Sequence, residues 1–206
     1  MIQAGPALSW DPRDDRATCE TEIVTDDAAG RCNFSTNRLV VDEWHNQATR
    51  FDLNLVNVVS TVLTAATTAD LPSEWRGDFD AERAERWVQA RDIESPTLLA
   101  MELETGRIVG LLILFEAADE LDPRGVDVRL GYALAEAAWG RGFASELVGG
   151  LIEWSRSEPS IRTISAGVAP TNEASAQVLR KNGFVLSAVS DSEQVYRISL
   201  RSTGDQ

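Results

Sequence analysis

The chain has few residues of the types on which several kinds of enzyme depend. Its 206 residues include one histidine, His45, one lysine, Lys181, and two cysteines, Cys19 and Cys32. One histidine excludes a multi-histidine metal site and two cysteines alone cannot complete a structural zinc site, so we expect no metal. A serine triad would have to use His45, and a Schiff-base enzyme would have to use Lys181.

Long apolar segments are missing as well. No run approaches the roughly 20 apolar residues of a transmembrane helix. Residues 1–10 have neither a basic start nor a long apolar stretch, which are the marks of a signal peptide. The expected location is therefore cytoplasmic.

Basic residues are outnumbered by acidic ones, 19 against 33, and the net charge is −14. A field of that sign repels phosphate backbones and anionic lipid, so we expect neither a nucleic acid nor a membrane as partner. It attracts cationic partners, although the same charge also serves solubility alone. The hydrophobic share of 43% is large enough for a folded core.

Two regions differ in composition. Residues 1–35 scatter acidic side chains among Gly, Pro, Thr and Ala, and we predict an N-terminal acidic arm with little core of its own. Residues 36–206 are predicted to form one domain. Its predicted strands are 38–44, 98–103, 107–115, 126–134, 161–168, 184–189 and 194–200, and its predicted helices begin near Phe51, Asp80, Ala144 and Asn172. This order predicts an α/β layered domain with a mixed sheet of about seven strands.

The turn Trp-Gly-Arg-Gly-Phe-Ala at residues 139–144 lies between a strand and a helix. The first turn of a helix leaves backbone N–H groups unpaired, and the helix dipole places partial positive charge there. Gly140 and Gly142 let a phosphate approach the backbone closely, Arg141 adds charge, and Ser145 can cap or donate. The pattern favours a pyrophosphate site, although two glycines are also typical of a plain tight turn.

Three kinds of nucleotide site compete for this turn. A P-loop needs GxxxxGK[ST], which is absent. A dinucleotide fingerprint is nearly matched by Gly140, Gly142 and Ser145, but it expects an acidic residue after the next strand, and the residues there are Gly167-Val168-Ala169. The third kind is a coenzyme A site.

Five short segments follow one another along the chain: 36–39 (TNRL), 130–134 (LGYAL), 139–146 (WGRGFASE), 172–175 (NEAS) and 179–184 (LRKNGF). By these segments, residues 36–200 resemble the GNAT superfamily of N-acetyltransferases, and in particular its branch of ribosomal-protein alanine N-acetyltransferases. The resemblance implies a mostly antiparallel central sheet with helices on both faces. It also implies acetyl-CoA as the acyl donor.

The resemblance further implies how the cofactor lies. The central strand would carry a β-bulge and splay from the next strand, so that the pantetheine arm enters between them. Asn172 would contact the pantetheine arm or its ordered water, and Arg141 would lie beside the phosphates. The implied cofactor-binding residues are Leu134, Ala135, Trp139, Gly140, Arg141, Gly142, Phe143, Ala144, Ser145 and Asn172.

The residues expected to transfer protons depart from the family's pattern. Many members have a tyrosine where this chain has Leu179, and several have a glutamate where it has Arg129. In the resembling branch a serine at the position of Ser175 is proposed to act on the leaving thiolate, so Ser175 is a candidate catalytic residue, although a small residue there also permits close packing. Tyr132 is a second candidate, because it could hold an ordered water.

The proton acceptor is left open by these substitutions. Asp127 is our candidate, because it shares a face of the strand with residue 129 by two-residue alternation. Glu116 and Glu102 could also serve. His45 is expected to be structural, and the tryptophans at 44, 75 and 87 either wall the acceptor cleft or belong to the core.

The leading hypothesis is an acetyl-CoA-dependent N-acetyltransferase. Its acceptor would be a protein N-terminus or a small amine such as a polyamine, an aminoglycoside-like amine or an amino acid, and a homodimer is left open. A non-catalytic acyl-CoA sensor is the alternative from another class, motivated by the missing glutamate and tyrosine. A nicotinamide- or flavin-binding protein is the third.

Overall fold

An eight-stranded sheet organises residues 28–119 and 125–200, which are the part of the chain that this computed structural model describes. Its strands are Phe34–Ser35 (β1), Leu39–Glu43 (β2), Thr97–Glu102 (β3), Ile108–Ala118 (β4), Val126–Leu134 (β5), Ile161–Val168 (β6), Val185–Val189 (β7) and Gln194–Ser199 (β8). The strand order is β1-β2-β3-β4-β5-β6-β8-β7, and within these ranges only the β5–β6 pair is parallel. The predicted mixed, mostly antiparallel sheet is confirmed, with the short strand β1 added to the predicted seven.

Helices cover both faces of the sheet, as the alternation along β5 requires. The helices are Trp44–Phe51 (α1), Leu55–Val62 (α2), Ala81–Glu94 (α3), Phe143–Ser157 (α4) and Glu173–Lys181 (α5). Leu130, Tyr132 and Leu134 pack into the core beneath α4 and α5, whereas Ala133 and Ala135 pack into the core beneath α1 to α3. In the described ranges no helix is both long and apolar enough to span a membrane.

The helical pattern that begins at Phe51 was predicted as one helix, but the structure divides this region. One helix ends at Phe51, where Asp52 adopts a left-handed conformation with φ of 54°. The next helix starts after Asn54, whose side chain accepts a hydrogen bond from the Asn57 N–H at 3.0 Å. Asp and Asn favour caps over helix interiors because their short side chains compete for backbone groups, and this preference outweighs the apolar period.

The folded part extends further toward the N-terminus than predicted. The boundary of the arm was placed between residues 35 and 36, yet Ala28, Ala29 and Cys32 are buried in the core, and burial raises the pKa of the Cys32 thiol. The ring of Phe34 lies against Gly150 of α4, where a Cβ would come within 2.5 Å of it. Residues of 28–35 thus contribute to the core of the described part of the chain, and the rest of the predicted arm lies outside the described residues.

A gap opens between the two parallel strands at their carboxyl ends. β5 and β6 pair from Val126↔Ile161 to Arg129↔Ser165 and no further, although both strands continue. β4 and β5 stay paired without interruption from Ala118↔Val126 to Gly110↔Leu134. The expected splay is present, but the expected bulge in β5 is not: the register shift lies at Val126/Asp127, on the side of β6.

Candidate active site

Backbone groups of β5 face this gap. The Ala135 N–H donates to the Val109 carbonyl at 2.9 Å, which makes Gly110↔Leu134 a pair without mutual hydrogen bonds. Leu134 and, two residues earlier, Tyr132 therefore direct their N–H and C=O groups away from β4 and toward the gap. The Trp139 indole N–H donates to the Leu134 carbonyl at 3.0 Å. The N–H groups of Tyr132 and Leu134 therefore point to where a chain could enter between the strands.

The glycine turn leads directly into α4. Gly140 and Gly142 have φ of +70° and +81°, which glycine adopts at little cost. Gly142 is the N-cap without a side-chain cap, and the first helical hydrogen bond runs from the Glu146 N–H to the Gly142 carbonyl at 3.2 Å. The N–H groups of residues 143–145 therefore point out of the helix end. A Cβ at Gly140 would meet nothing within 4 Å, so a ligand can approach the turn closely.

A charged clamp holds this turn in place. The Glu146 carboxylate accepts hydrogen bonds from the Thr36 hydroxyl at 2.6 Å, from the Arg38 N–H at 2.8 Å and from Arg38 Nε at 2.7 Å. Burial alone would raise the pKa of Glu146, but these hydrogen bonds outweigh it and the pKa is lowered. Arg38 Nη1 also donates to the Arg141 carbonyl at 3.0 Å, so the residue just before β2 is tied to both the glycine turn and the first turn of α4.

Arg141 lies beside the turn but is already paired. Its guanidinium is 47% exposed, forms an ion pair with Glu102 and stacks 4.6 Å from the ring centroid of Phe143. The Thr105 hydroxyl and Arg141 together lower the pKa of Glu102 against the opposing effect of burial. The predicted contact of Arg141 with phosphates stays a prediction, because it would require the side chain to share or leave this pair.

A cavity of about 450 Å³ connects the glycine turn with the gap. Eight predicted site residues line it: Tyr132, Leu134, Trp139, Gly140, Gly142, Ala144, Ser145 and Ser175. It is also lined by residues that were not predicted from the sequence, namely Thr67, Ala174, Gln177, Val178 and Lys181. Most of these lie on one face of α5 with Ser175, at the three- and four-residue spacing of a helix, and that spacing was the signal that could have found them.

Tyr132 lines this cavity, and its hydroxyl is buried without a partner among the described residues. Its side chain is 4% exposed, and the hydroxyl has no hydrogen-bond partner among the described residues. Burial raises the pKa of Tyr132 to about 12; nearby Ser175 opposes the rise, without reaching the geometry of a hydrogen bond. Because buried hydroxyls nearly always have a partner, this atom is suited to receive one from a ligand.

Three predicted cofactor residues serve the fold at this site. Asn172 is buried and caps α5, since its Oδ1 accepts from the Ser175 N–H at 3.1 Å. The Ala135 N–H is used by β4, as described above. Phe143 is fully buried, beneath the guanidinium groups of Arg38 and Arg141.

Asp127 lies on the opposite face of β5 from Tyr132 and is 2% exposed. Its two oxygens accept hydrogen bonds from the hydroxyls of Thr163 at 2.6 Å and Ser165 at 2.7 Å. The guanidinium groups of Arg197 and Arg129 lie 3.8 and 4.0 Å from one of these oxygens. The structure thus does not bring Asp127 together with Tyr132 and Ser175.

Glu116 and His45 are bound to partners of their own. The Glu116 carboxylate accepts from the Ala29 N–H at 2.6 Å, and His45 Nε2 lies 2.7 Å from Asp92 on the surface. The tryptophans at 44, 75 and 87 pack edge to face with one another and with Phe79, so they form core beneath α1 to α3. In the ranges described, no cluster of three His, Cys, Asp or Glu residues could hold a metal ion.

Comparisons with known proteins agree with this geometry. Residues 47–185 match the family model described as an acetyltransferase (GNAT) domain. A GNAT-family acetyltransferase from Bacillus anthracis superposes with a TM-score of 0.65 at 16% identity, over 82% of this chain and 99% of that one. No curated protein matches the chain in a sequence comparison.

Two further solved structures have named substrates. RimL, a ribosomal L7/L12 alpha-N-protein acetyltransferase in complex with coenzyme A, superposes with a TM-score of 0.59 at 17% identity, over 80% of this chain and 95% of that one. The spermidine/spermine N-acetyltransferase SpeG from Vibrio cholerae superposes with a TM-score of 0.52 at 14% identity, over 79% and 95% of the two chains. At these identities the superpositions show the fold alone.

The family assignment rests on the sequence match together with that fold. The matched residues 47–185 make up more than half of the chain and contain both the glycine turn and the gap between β5 and β6. Enzymes of this family use acetyl-CoA. The chain belongs to the acetyltransferase (GNAT) family.

Proposed function

We propose that this protein transfers an acetyl group from acetyl-CoA to a primary amine, which attacks the thioester directly while both substrates are bound. The observation that carries the proposal is one continuous cavity. It is lined by Gly140 and Gly142 at the open N-terminus of α4, and also by Tyr132, whose buried hydroxyl has no partner among the described residues. The N-terminus of α4 can bind an anion, and Tyr132 supplies a buried hydrogen-bond donor near the gap between the strands. Together they fit a long ligand that carries a pyrophosphate and a reactive thioester.

The residues of the turn would bind the pyrophosphate. The N–H groups of residues 143–145 and the helix dipole supply partial positive charge there. Lys181 lies on the opposite wall of the cavity and adds a full charge. The N–H groups of Tyr132 and Leu134 would pair with the pantetheine arm and with the oxygen that becomes negative during attack, in the way that strand backbone commonly stabilises an oxyanion.

Tyr132 and Ser175 would act on the leaving sulfur. A tyrosine with a pKa of about 12 stays protonated beside a thiol whose pKa is about 8.5, so Tyr132 donates a hydrogen bond rather than losing its proton. That hydrogen bond stabilises the thiolate as it forms. The Ser175 hydroxyl, on a residue that also lines the cavity, would pass a solvent proton to the sulfur. The catalytic roles expected from the sequence for both residues are thus part of this proposal.

The acceptor is proposed as a protein N-terminus or a small amine. RimL acts on a ribosomal protein and SpeG on spermidine and spermine, so both classes occur on this fold. The net charge of −14 favours a cationic acceptor of either class.

A thiol-release assay tests the proposal. Purified protein with acetyl-CoA and a panel of alkylamines, polyamines, amino acids and short peptides with free N-termini should release CoA with at least one acceptor. Calorimetry with acetyl-CoA gives the binding constant separately. No binding at millimolar acetyl-CoA would contradict the proposal, while binding without release on any amine would favour the sensor hypothesis.

A further inference from the structure

Glu193 lies at the turn between β7 and β8, and its side chain lies across Gly167 of β6. A Cβ placed on Gly167 would be 1.9 Å from Glu193 Oε1 and 2.6 Å from its Cδ. The carboxylate therefore occupies the space above Gly167 that any other residue would fill. A glycine at this position lets the chain bring an acidic group onto β6 from outside the strand.

The carboxylate borders the gap on the face opposite Tyr132. Thr163, Ser165 and Gly167 alternate along β6 on one face, and the first two contact Asp127 on that face of β5. The last pair between the strands is Arg129↔Ser165, so Gly167 lies two residues beyond it, at the open edge. A ligand between the strands would have Tyr132 and Ser175 on one side and Glu193 on the other.

Glu193 also retains its full capacity to accept hydrogen bonds. No hydrogen bond reaches its carboxylate from the residues of 28–119 and 125–200, in contrast to Asp127, whose two oxygens are both used. Burial raises the pKa of Glu193, and Arg129 opposes the rise. The other charged groups nearby are Asp127 on β5, Arg197 on β8 and Asp191 in the same turn. A partly buried carboxylate with a raised pKa is a better base near neutral pH than a solvated one.

We propose that Glu193 is the proton acceptor for the amine substrate, an inference that rests on the acetyl transfer proposed above. The ammonium R–NH₃⁺ gives one proton to the Glu193 carboxylate, directly or through one water, and the free amine attacks the thioester carbon. The C–N bond forms, the C–S bond breaks, and the second nitrogen proton leaves to solvent as the thiolate takes one up. Glu193 then releases its proton to solvent, so that one proton is liberated for each amide formed.

Substitution of Glu193 tests this role. Glu193→Gln should lower kcat about 100-fold with the best amine of the panel, the usual range for loss of a general base. The acetyl-CoA dissociation constant should stay within twofold of wild type, because Glu193 lies outside the cavity that binds the cofactor. Raising the pH should partly restore kcat/KM in this variant, since more of the amine is then free. Asp191→Asn is the matched control: it removes a carboxylate from the same turn and should leave kcat unchanged.

A second variant moves the carboxylate without replacing it. Gly167→Ala adds the Cβ that Glu193 now displaces, and Gly167 does not have a positive φ, so alanine adds no backbone strain. It should lower kcat by tenfold or more, and in the double variant with Glu193→Gln the two losses should not multiply. A kcat of Glu193→Gln within threefold of wild type across the pH range would overturn the proposal.

Failure of the Glu193 proposal can be distinguished from failure of the proposed acetyl transfer. If wild type releases no CoA with any amine, the acetyl transfer fails, and a carboxyl NMR titration of Glu193 still decides its placement. Its pKa should rise further when acetyl-CoA fills the gap and removes water. An unchanged pKa on saturation with acetyl-CoA would place Glu193 away from the acyl group and overturn the proposal.

Discussion

The two faces of the sheet at the gap carry different kinds of chemical group. The face under α4 and α5 offers backbone N–H groups, hydroxyls and glycines, and among the described residues Lys181 is the one charged side chain that lines the cavity there. The opposite face carries Asp127, Arg129, Arg197 and Glu193 within reach of one another. On the function proposed above, we therefore expect binding of the cofactor to depend on backbone geometry and handling of the acceptor to depend on charge. Each half of this expectation can be tested separately.

The largest effect is expected at the glycine turn. Gly142→Glu should abolish detectable acetyl-CoA binding, because a side chain at φ of +81° strains the turn and a carboxylate repels the pyrophosphate. Calorimetry measures the loss. Gly106→Glu is a matched control, since Gly106 also has a positive φ, +67°, with open space around it in the β3–β4 turn. That variant should bind acetyl-CoA like wild type, and equal losses in both variants would show an effect on folding rather than on the site.

A smaller effect is expected from the unpartnered hydroxyl. Tyr132→Phe should lower kcat by about 100- to 1,000-fold, the cost of losing one donor to developing charge in a buried site. Acetyl-CoA binding should hardly change, and stability to urea should be equal or slightly higher, because the lost hydroxyl was buried without a partner among the described residues. Tyr196→Phe is the control; its hydroxyl bonds to Arg180 and Gln194 away from the cavity. Unchanged kcat in Tyr132→Phe would contradict the role of Tyr132.

Removing the charge of Lys181 should weaken acetyl-CoA binding only modestly. Lys181→Met should raise the dissociation constant of acetyl-CoA about tenfold, and this difference should shrink as salt increases. Arg86→Gln, which removes a surface charge on α3, should have no effect on binding. Repeating the measurement with dephospho-CoA shows whether Lys181 meets the 3′-phosphate or the pyrophosphate. A Lys181→Met variant with unchanged affinity at low salt would mean that the backbone alone binds the phosphates.

The clamp behind the turn should contribute to stability and should do so in a pH-dependent way. Glu146→Gln should lower the free energy of unfolding by about 1–3 kcal/mol at pH 7, through loss of hydrogen bonds to a charged group. Because the pKa of Glu146 is lowered in the fold, its stabilisation is complete above the unfolded pKa of about 4.3 and is lost as pH falls through the folded value. The two proteins should therefore converge in urea titrations at acid pH, once the pH lies below the lowered pKa of Glu146.

Glu153→Gln supplies the reference for that measurement. Glu153 lies on the same helix but forms an exposed pair with Arg156, so its substitution should cost less than about 0.5 kcal/mol. A Glu146→Gln variant that matches Glu153→Gln at pH 7 would show that the clamp adds nothing to the fold.

The glycine turn and the two elements that flank it could be predicted from the sequence because their constraints are local. Glycines at 140 and 142 are needed for one turn, and the strand before it and the helix after it follow from their apolar periods. Seven of the eight predicted site residues that line the cavity lie in or near these segments, and the eighth, Ser175, lies on α5. Asn172 was also placed correctly at a helix start, although its side chain caps α5.

The charged groups on the opposite face could not be predicted in this way, because their arrangement depends on contacts between residues far apart in the chain. Asp127 was chosen from alternation along one strand, but that pattern says nothing of the hydroxyls on β6 that occupy its oxygens. Glu193 reaches the gap only because Gly167 lacks a side chain, and the two residues are joined by the fold rather than by spacing. The break at Asp52 was missed for a similar reason: an apolar period continues through it.

Arg38 has a consequence for the speed of binding. Since its guanidinium already fixes the Arg141 carbonyl and Glu146, the glycine turn needs no ordering when a ligand arrives. The observed association rate should therefore rise linearly with acetyl-CoA concentration in stopped-flow experiments, without a plateau set by loop closure. Differences in affinity among CoA thioesters should then appear as differences in residence time.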